Sequence, residues 1–168
     1  MKIIIEGCDG TGKTTIAKKL ARKYKCDVIH MTSKDPKDFN FYSQSLRKTK
    51  AIYDRNFLSE MIYPKVFKRN GSALTEQEFK LLLKQARDED ILIVILTASR
   101  YDILTRLKER TNEPEEILKK YAWINKQYVK MAEKYRLLLI DTSYITPGDV
   151  CKIINDDISY RGYKVWKV

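Results

Sequence analysis

Eight residues constrain this chain more than any others: Gly7-Cys8-Asp9-Gly10-Thr11-Gly12-Lys13-Thr14. They match G-x-x-x-x-G-K-[ST] in full, with an isoleucine-rich run at residues 2–6 before them and an amphipathic run after. Gly7, Gly10 and Gly12 let the backbone curl so that successive N–H groups point inward at phosphate oxygens. The N-terminus of the following helix adds its positive end at the same place. In such a cradle Lys13 reaches the β- and γ-phosphates, the Thr14 hydroxyl holds Mg²⁺, and Thr11 and Thr15 border the phosphates. The motif implies ATP or another nucleoside triphosphate. It does not say what becomes of the phosphate, because ATPases, GTPases, kinases and motors share it.

The rest of the chain repeats the strand-then-helix pattern. Residues 13–25 read as a helix with Ile16, Leu20 and Tyr24 four apart, and 27–31 as a second strand. Residues 39–48 read as a helix, 51–54 as a third strand, and 56–68 as a helix that Pro64 kinks or ends. Thr75 with Glu78 forms a capping box for a helix over 76–89. The most apolar strand is 91–96. A helix over 102–110 and a longer one over 115–135 follow, the latter with Tyr121, Ile124, Tyr128 and Met131 as core. Residues 136–141 make a fifth strand, and 147–158 a last helix with Val150, Ile153 and Ile154 inward. Residues 163–168 read as a sixth, edge strand. Five alternations predict an α/β fold, with a five-stranded parallel sheet and helices on both faces. One domain over 1–168 is expected.

Composition excludes several classes. Apolar residues are 43% and charged residues 33%, a globular balance. No run approaches the roughly 18 apolar residues of a membrane span, and the N-terminal apolar run is too short for a signal peptide. A cytoplasmic protein with no membrane partner is expected. Cys8, Cys26 and Cys151 have no metal or disulfide spacing, which suits a reducing compartment; Cys8 reads as a small filler in the loop, with a redox-sensitive thiol as the alternative. Lys and Arg exceed Asp and Glu by 33 − 22 = 11, which favours anionic partners. The cations are spread, and Lys18, Lys19, Arg22, Lys23 and Lys25 read as a solvated helix face. A small nucleotide, rather than nucleic acid, is the expected partner.

The longer motif Glu6-Gly7-Cys8-Asp9-Gly10-Thr11-Gly12-Lys13-Thr14-Thr15 resembles the EGxDGxGKTT loop of thymidylate kinases. Asp54-Arg55, followed by Ser59, is similar to that family's DR(Y/F)xxS segment. The stretch from Asp54 to Tyr63 looks still more like the DRxxxSExxY of viral and phage members. Arg106 and Arg110 look like the RxxxR of nucleotide kinase lids, here about 100–114. Ile140-Asp141-Thr142-Ser143 falls where the family contacts adenine. The resemblance touches most of residues 2–158. It implies a P-loop kinase fold, ATP and Mg²⁺, and transfer of the γ-phosphoryl to a nucleoside monophosphate, dTMP first. It implies Asp9 on the acceptor sugar, Arg55 on the acceptor phosphate, Arg106 near adenine with Thr142, and Arg110 on the transferring phosphate. The family's usual dimers imply a homodimer.

The residues also carry these roles on physical grounds. Asp54 and Arg55 end a parallel strand, where open α/β sheets bind ligands. Arg55 offers a planar fork to phosphate, while Asp54 suits Mg²⁺ through water or a hydroxyl proton. Arg106 and Arg110, four apart, share a helix face. There are departures. Asn56 stands where an aromatic is usual, and Gly10 stands where some members carry a catalytic arginine. The segment between the second and third strands is short, so Phe39, Phe41, Tyr42, Gln44 and Arg47 are only candidates for base and phosphate contacts, with Tyr63 beside them. Arg100 is a further candidate phosphate ligand, and His30 reads as structural. A deoxynucleoside kinase, with Asp54 as base for a 5′-hydroxyl, stays open. So does a nucleic-acid-dependent enzyme such as a polynucleotide 5′-kinase, or a regulatory nucleotide-binding module.

Overall fold

The computed structural model describes residues 2–32, 34–48, 50–67, 74–108 and 115–162. Its five strands are β1 (Lys2–Gly7), β2 (Asp27–His30), β3 (Ala51–Asp54), β4 (Ile91–Thr97) and β5 (Leu138–Asp141). All pair in parallel, in the order β2-β3-β1-β4-β5. The helices are α1 (Lys13–Tyr24), α2 (Phe39–Leu46), α3 (Tyr63–Val66), α4 (Glu76–Asp88), α5 (Arg100–Lys108), α6 (Glu115–Tyr135) and α7 (Pro147–Tyr160). The expected five-stranded parallel sheet with helices on both faces is what the chain forms.

The central strands are apolar without interruption because both of their faces are covered. In β1, Ile3 and Ile5 face one cluster with Leu20 of α1 and Ile154 of α7. Ile4 faces the other, with Tyr42 of α2, Phe79 of α4 and Tyr128 of α6. In β4 the same alternation sends Leu92 and Val94 one way and Ile93 and Ile95 the other. Each such side chain contributes about 1.5–3 kcal/mol when fully buried. β2, at the sheet edge, is only partly covered.

Several local readings shift. The span expected as one helix after Asn56 splits into a 3-10 turn, Phe57–Met61, and the short α3, with Pro64 in its first turn, where a missing N–H costs least. Ile153 faces outward, while Val150 and Ile154 are buried. β5 starts at Leu138 because Arg136 takes φ 53° to turn out of α6. The capping box at Thr75 and Glu78 is present. The expected edge strand over 163–168 lies outside the described residues, as does the stretch 109–114 of the expected lid.

Candidate active site

β1 delivers the chain to the loop at Gly7. A Cβ there would stand 2.2 Å from the Leu96 carbonyl oxygen, and φ is 143°, so only glycine fits. Gly12 takes φ 90° to launch α1. Within the loop, the Thr11 hydroxyl donates to Cys8 O at 2.7 Å. The Lys13 ammonium donates to Cys8 O at 2.8 Å and lies 3.4 Å from Asp9 Oδ1. Burial, and then the neighbouring Arg55 charge, lower the Lys13 pKa against the pull of Asp9. Cys8 is fully buried, with its thiol pushed up to about 12, mainly by burial. It fills space and is not a poised thiolate.

At the end of β3, Asp54 has no exposed surface. Its Oδ2 accepts from the Thr14 hydroxyl at 2.5 Å and lies 3.0 Å from His30 Nδ1. Its Oδ1 is buried without a hydrogen-bond partner. An unpartnered buried carboxylate oxygen beside a hydroxyl is a hard-oxygen pair that suits Mg²⁺, an ion that takes one or two protein ligands and completes its shell with phosphates and water. His30, read as structural, stands at this carboxylate and borders the cavity beside it.

Arg55 follows with φ 72°, an uncommon conformation for a non-glycine residue. The backbone holds it there. Arg55 N–H donates to Ile5 O at 3.0 Å, and Asn56 N–H donates to Glu6 Oε1 at 2.7 Å. Glu6 is fully buried and also accepts from the Ser59 hydroxyl at 2.9 Å and the Tyr128 hydroxyl at 2.9 Å. Burial raises its pKa against these hydrogen bonds. The turn therefore aims the Arg55 guanidinium back toward the loop. The guanidinium carbon sits 4.5 Å from the centre of the Tyr63 ring, and Nη2 donates to Asp9 Oδ1. Burial would raise the Asp9 carboxyl, but Lys13 and Arg55 outweigh it and bring it down to about 2.

These groups open on a cavity of about 360 Å³. Asp9, Lys13 and Arg55 line one part. Tyr42, Tyr63 and the Lys37–Glu60 ion pair, 2.9 Å apart, line another. A second cavity of about 280 Å³ lies across the loop, between Gly10, Thr15, Arg106, Thr142 and Pro147. Arg106 closes one side of it: Nη1 donates to Gly10 O at 3.1 Å and to Thr142 Oγ1 at 3.1 Å, and Nη2 donates to Thr142 O at 2.9 Å. Thr142 is itself tied to β4 through its N–H on Thr97 O at 2.9 Å.

A family model described as Novel STAND NTPase 3 matches residues 2–140. The chain belongs to that family. The match runs from β1 through β5 and so includes the phosphate loop, Asp54-Arg55 and Arg106. Other likenesses place this family member among the kinases. It is 26% identical to the "Probable thymidylate kinase" of Methanocaldococcus jannaschii, over 95% of each chain. Its fold matches that of the YorR protein of Bacillus subtilis, solved in complex with phosphorylated GDP, with a TM-score of 0.80, 24% identity, and 96% and 98% of the two chains covered. It also matches deoxyadenosine kinase from M. mycoides, solved with dCMP and dCDP, with a TM-score of 0.63, 19% identity, and 96% and 100% covered. These likenesses give the chain the fold of a thymidylate kinase-like P-loop kinase, and its kinase relatives support a phosphotransferase at family level.

In this family member most of the expected site residues converge. Lys13, Thr14, Arg55, Asp9, Tyr42 and Tyr63 meet around the larger cavity, with Asp54 behind Thr14, and Thr15, Arg106 and Thr142 around the smaller. Arg47 does not join them. It caps the C-terminus of α2, exposed, next to Leu46, whose carbonyl accepts from Lys2 at the opposite edge of the sheet, and its charge acts on Glu89 there. Arg100 is exposed at the start of α5, outside both linings. Arg110 lies outside the described residues. Three side chains were missed as site parts: Lys37, Glu60 and Glu6. Glu60 stood in the DRxxxSExxY segment without a role. Glu6 could have been suspected as the one charge ending an isoleucine run that is buried on both faces.

Proposed function

We propose that the chain transfers the γ-phosphoryl group of ATP, with Mg²⁺, to a deoxynucleoside monophosphate, dTMP being the first acceptor to test. The observation that carries this reading is the placement of Arg55 and Lys13 together in the larger cavity, on either side of Asp9. Two cations in a half-buried cavity suit an acceptor that arrives already charged. An acceptor phosphate laid on Arg55 faces a triphosphate held by the loop, so catalysis is positioning and electrostatics. Lys13 bridges toward the transferring group, Thr14 and Asp54 hold Mg²⁺, and Asp9 takes the acceptor sugar. When bound, the metal neutralises charge between the β- and γ-phosphates. The smaller cavity takes the adenine of ATP, with Arg106 and Thr142 on its wall, and Tyr42 and Tyr63 contact the acceptor.

Residues 1–168 act as one catalytic unit whose segment at about 100–114 closes as a lid, bringing Arg110 to the transferring phosphate. A bisubstrate analogue should protect that segment from hydrogen exchange, and no change there would remove the lid from the reading. A cytoplasmic homodimer is the expected working form, checked by sedimentation.

One feature favours a second reading. The unpartnered Asp54 Oδ1 is chemically able to take a proton from a nucleoside 5′-hydroxyl. A phosphorylation panel of matched nucleosides and their 5′-monophosphates separates the two. Turnover of monophosphates alone supports the first; turnover of nucleosides alone overturns it and makes Asp54 the base.

A further inference from the structure

Several exposed cations elsewhere on this chain pair with a carboxylate of their own helix. Lys80 pairs with Glu76 at 3.1 Å, Lys84 with Asp88 at 2.6 Å and Arg161 with Asp157 at 2.7 Å, each one helical turn apart. α1 is different. Its sequence, KTTIAKKLARKY, contains no carboxylate, and Lys18, Lys19, Arg22 and Lys23 are all exposed, as is Lys25 at its C-terminal cap. Among the described residues none of these five has an ion-pair partner. Cations in the last helical turn are favoured by the helix dipole, but that does not account for Lys18 and Lys19 in mid-helix.

Three of the α1 cations converge. Lys18, Arg22 and Lys25 line a groove of about 490 Å³ together with Lys50, along the start of the edge strand β2. The only carboxylate in its wall is Asp27. The groove lies toward the N-terminal edge of the sheet, where Asp27 registers with Ala51, whereas both nucleotide cavities open at the C-terminal edge.

We propose that this groove is a docking surface for nucleic acid, read through its phosphodiester backbone. Four cations along one channel concentrate positive potential where a strand of phosphates neutralises it and releases counterions. Lys18 and Arg22 sit about 6 Å apart on one helix face. The wall contains no aromatic ring, so bases have nothing to stack on and contact is sequence-independent. An anionic membrane fits less well. The exposed positions of α1 are all Thr, Lys or Arg, and an interfacial helix needs an apolar face to insert. The five cations are exposed, as expected of a solvated face, and, resting on the proposed function, such docking would hold the enzyme near polymers built from its products.

Fluorescence anisotropy of a labelled DNA duplex tests this, with ATP and Mg²⁺ saturating so that duplex phosphates stay out of the phosphate loop. Binding should weaken on the order of a hundredfold between about 50 and 200 mM salt, as about four phosphate contacts require. The pair Lys18→Glu with Arg22→Glu should weaken binding at least about tenfold, with phosphorylation rate and melting temperature unchanged. Should that pair fold poorly, Lys18→Gln with Arg22→Gln removes the charges without reversing them. Lys80→Glu with Lys84→Glu changes net charge equally on α4 and should leave binding nearly intact. Equal loss from both pairs, no duplex binding at low salt, or binding to anionic vesicles alone overturns the proposal.

Discussion

The two cavities share the phosphate loop as a wall, yet they are built from different material. The smaller, with Arg106 and Thr142, is fixed largely by main chain: five of the six bonds that hold these two residues to one another, to the loop and to β4 end on a carbonyl oxygen. The larger is fixed by side chains from distant segments, with Asp9, Arg55 and Tyr63 touching one another and Lys37 paired with Glu60. Backbone fixes a site that many sequences share, whereas side chains fix one that each sequence chooses. That is why the phosphate loop is recognisable from eight residues and the lining of the larger cavity is not. Substitutions should therefore separate into those felt on both sides of the loop and those felt on one.

Lys13→Ala is expected to be the largest effect, since Lys13 lines the larger cavity from the loop that also walls the smaller. Turnover should fall by about 10³ or more, the scale of removing a cation from a transferring phosphate, with the fold intact. Steady-state rates with circular dichroism check it. Near-normal turnover would remove the loop from the mechanism.

Arg55→Ala is expected to act on one side. Losing a charge-assisted phosphate contact costs about 1.5–3 kcal/mol, so kcat/KM for the acceptor should fall roughly tenfold to a few hundredfold. The dissociation constant for ATP should not move. If ATP binding weakens in parallel, the two cavities are not independent and the comparison fails.

Glu6→Gln sharpens it further, because Glu6 lines neither cavity itself and holds the turn at Arg55 from behind, through Asn56 and Ser59. Leaving a buried donor badly matched costs about 1–3 kcal/mol of stability. Acceptor KM should rise while ATP affinity stays, measured by denaturant melts alongside titration. An ATP-side loss would assign Glu6 to the loop instead.

What the sequence disclosed follows the same division. Strand order was not readable, but the strands, their parallel sense and α1, α4, α6 and α7 were, because long apolar runs and the capping box at Thr75 carry their own local cause. The region after Asp54 misled. It read as one helix over 56–68, while Glu6, 50 positions away, accepts from the Asn56 backbone N–H where a 3-10 turn begins. Lys37 was invisible as a site residue for the same reason: its meaning depends on Glu60, which only the fold brings near. Arg47 was misplaced because a short connection makes α2 run away from the loop.

The smallest expected effect concerns pH, and it sets the two carboxylates beside Arg55 against each other. Asp9 has its folded pKa lowered to about 2 from an ordinary value of 3.8, so it contributes stability above pH 4 that is lost as pH falls toward 2. Glu6 has its folded pKa raised above the ordinary 4.5, so its contribution has the opposite sign: it is fully present below that value and is lost as pH rises through the folded pKa. Asp9→Asn should therefore flatten the acid limb of a stability profile between pH 4 and 2. Glu6→Gln should flatten the profile just above pH 4.5, so that its cost at pH 7 is less than its cost at pH 4. Urea melts across that range read both. If the two variants change the profile in the same direction, the loop side and the turn side of Arg55 do not differ in the way their burial and partners require.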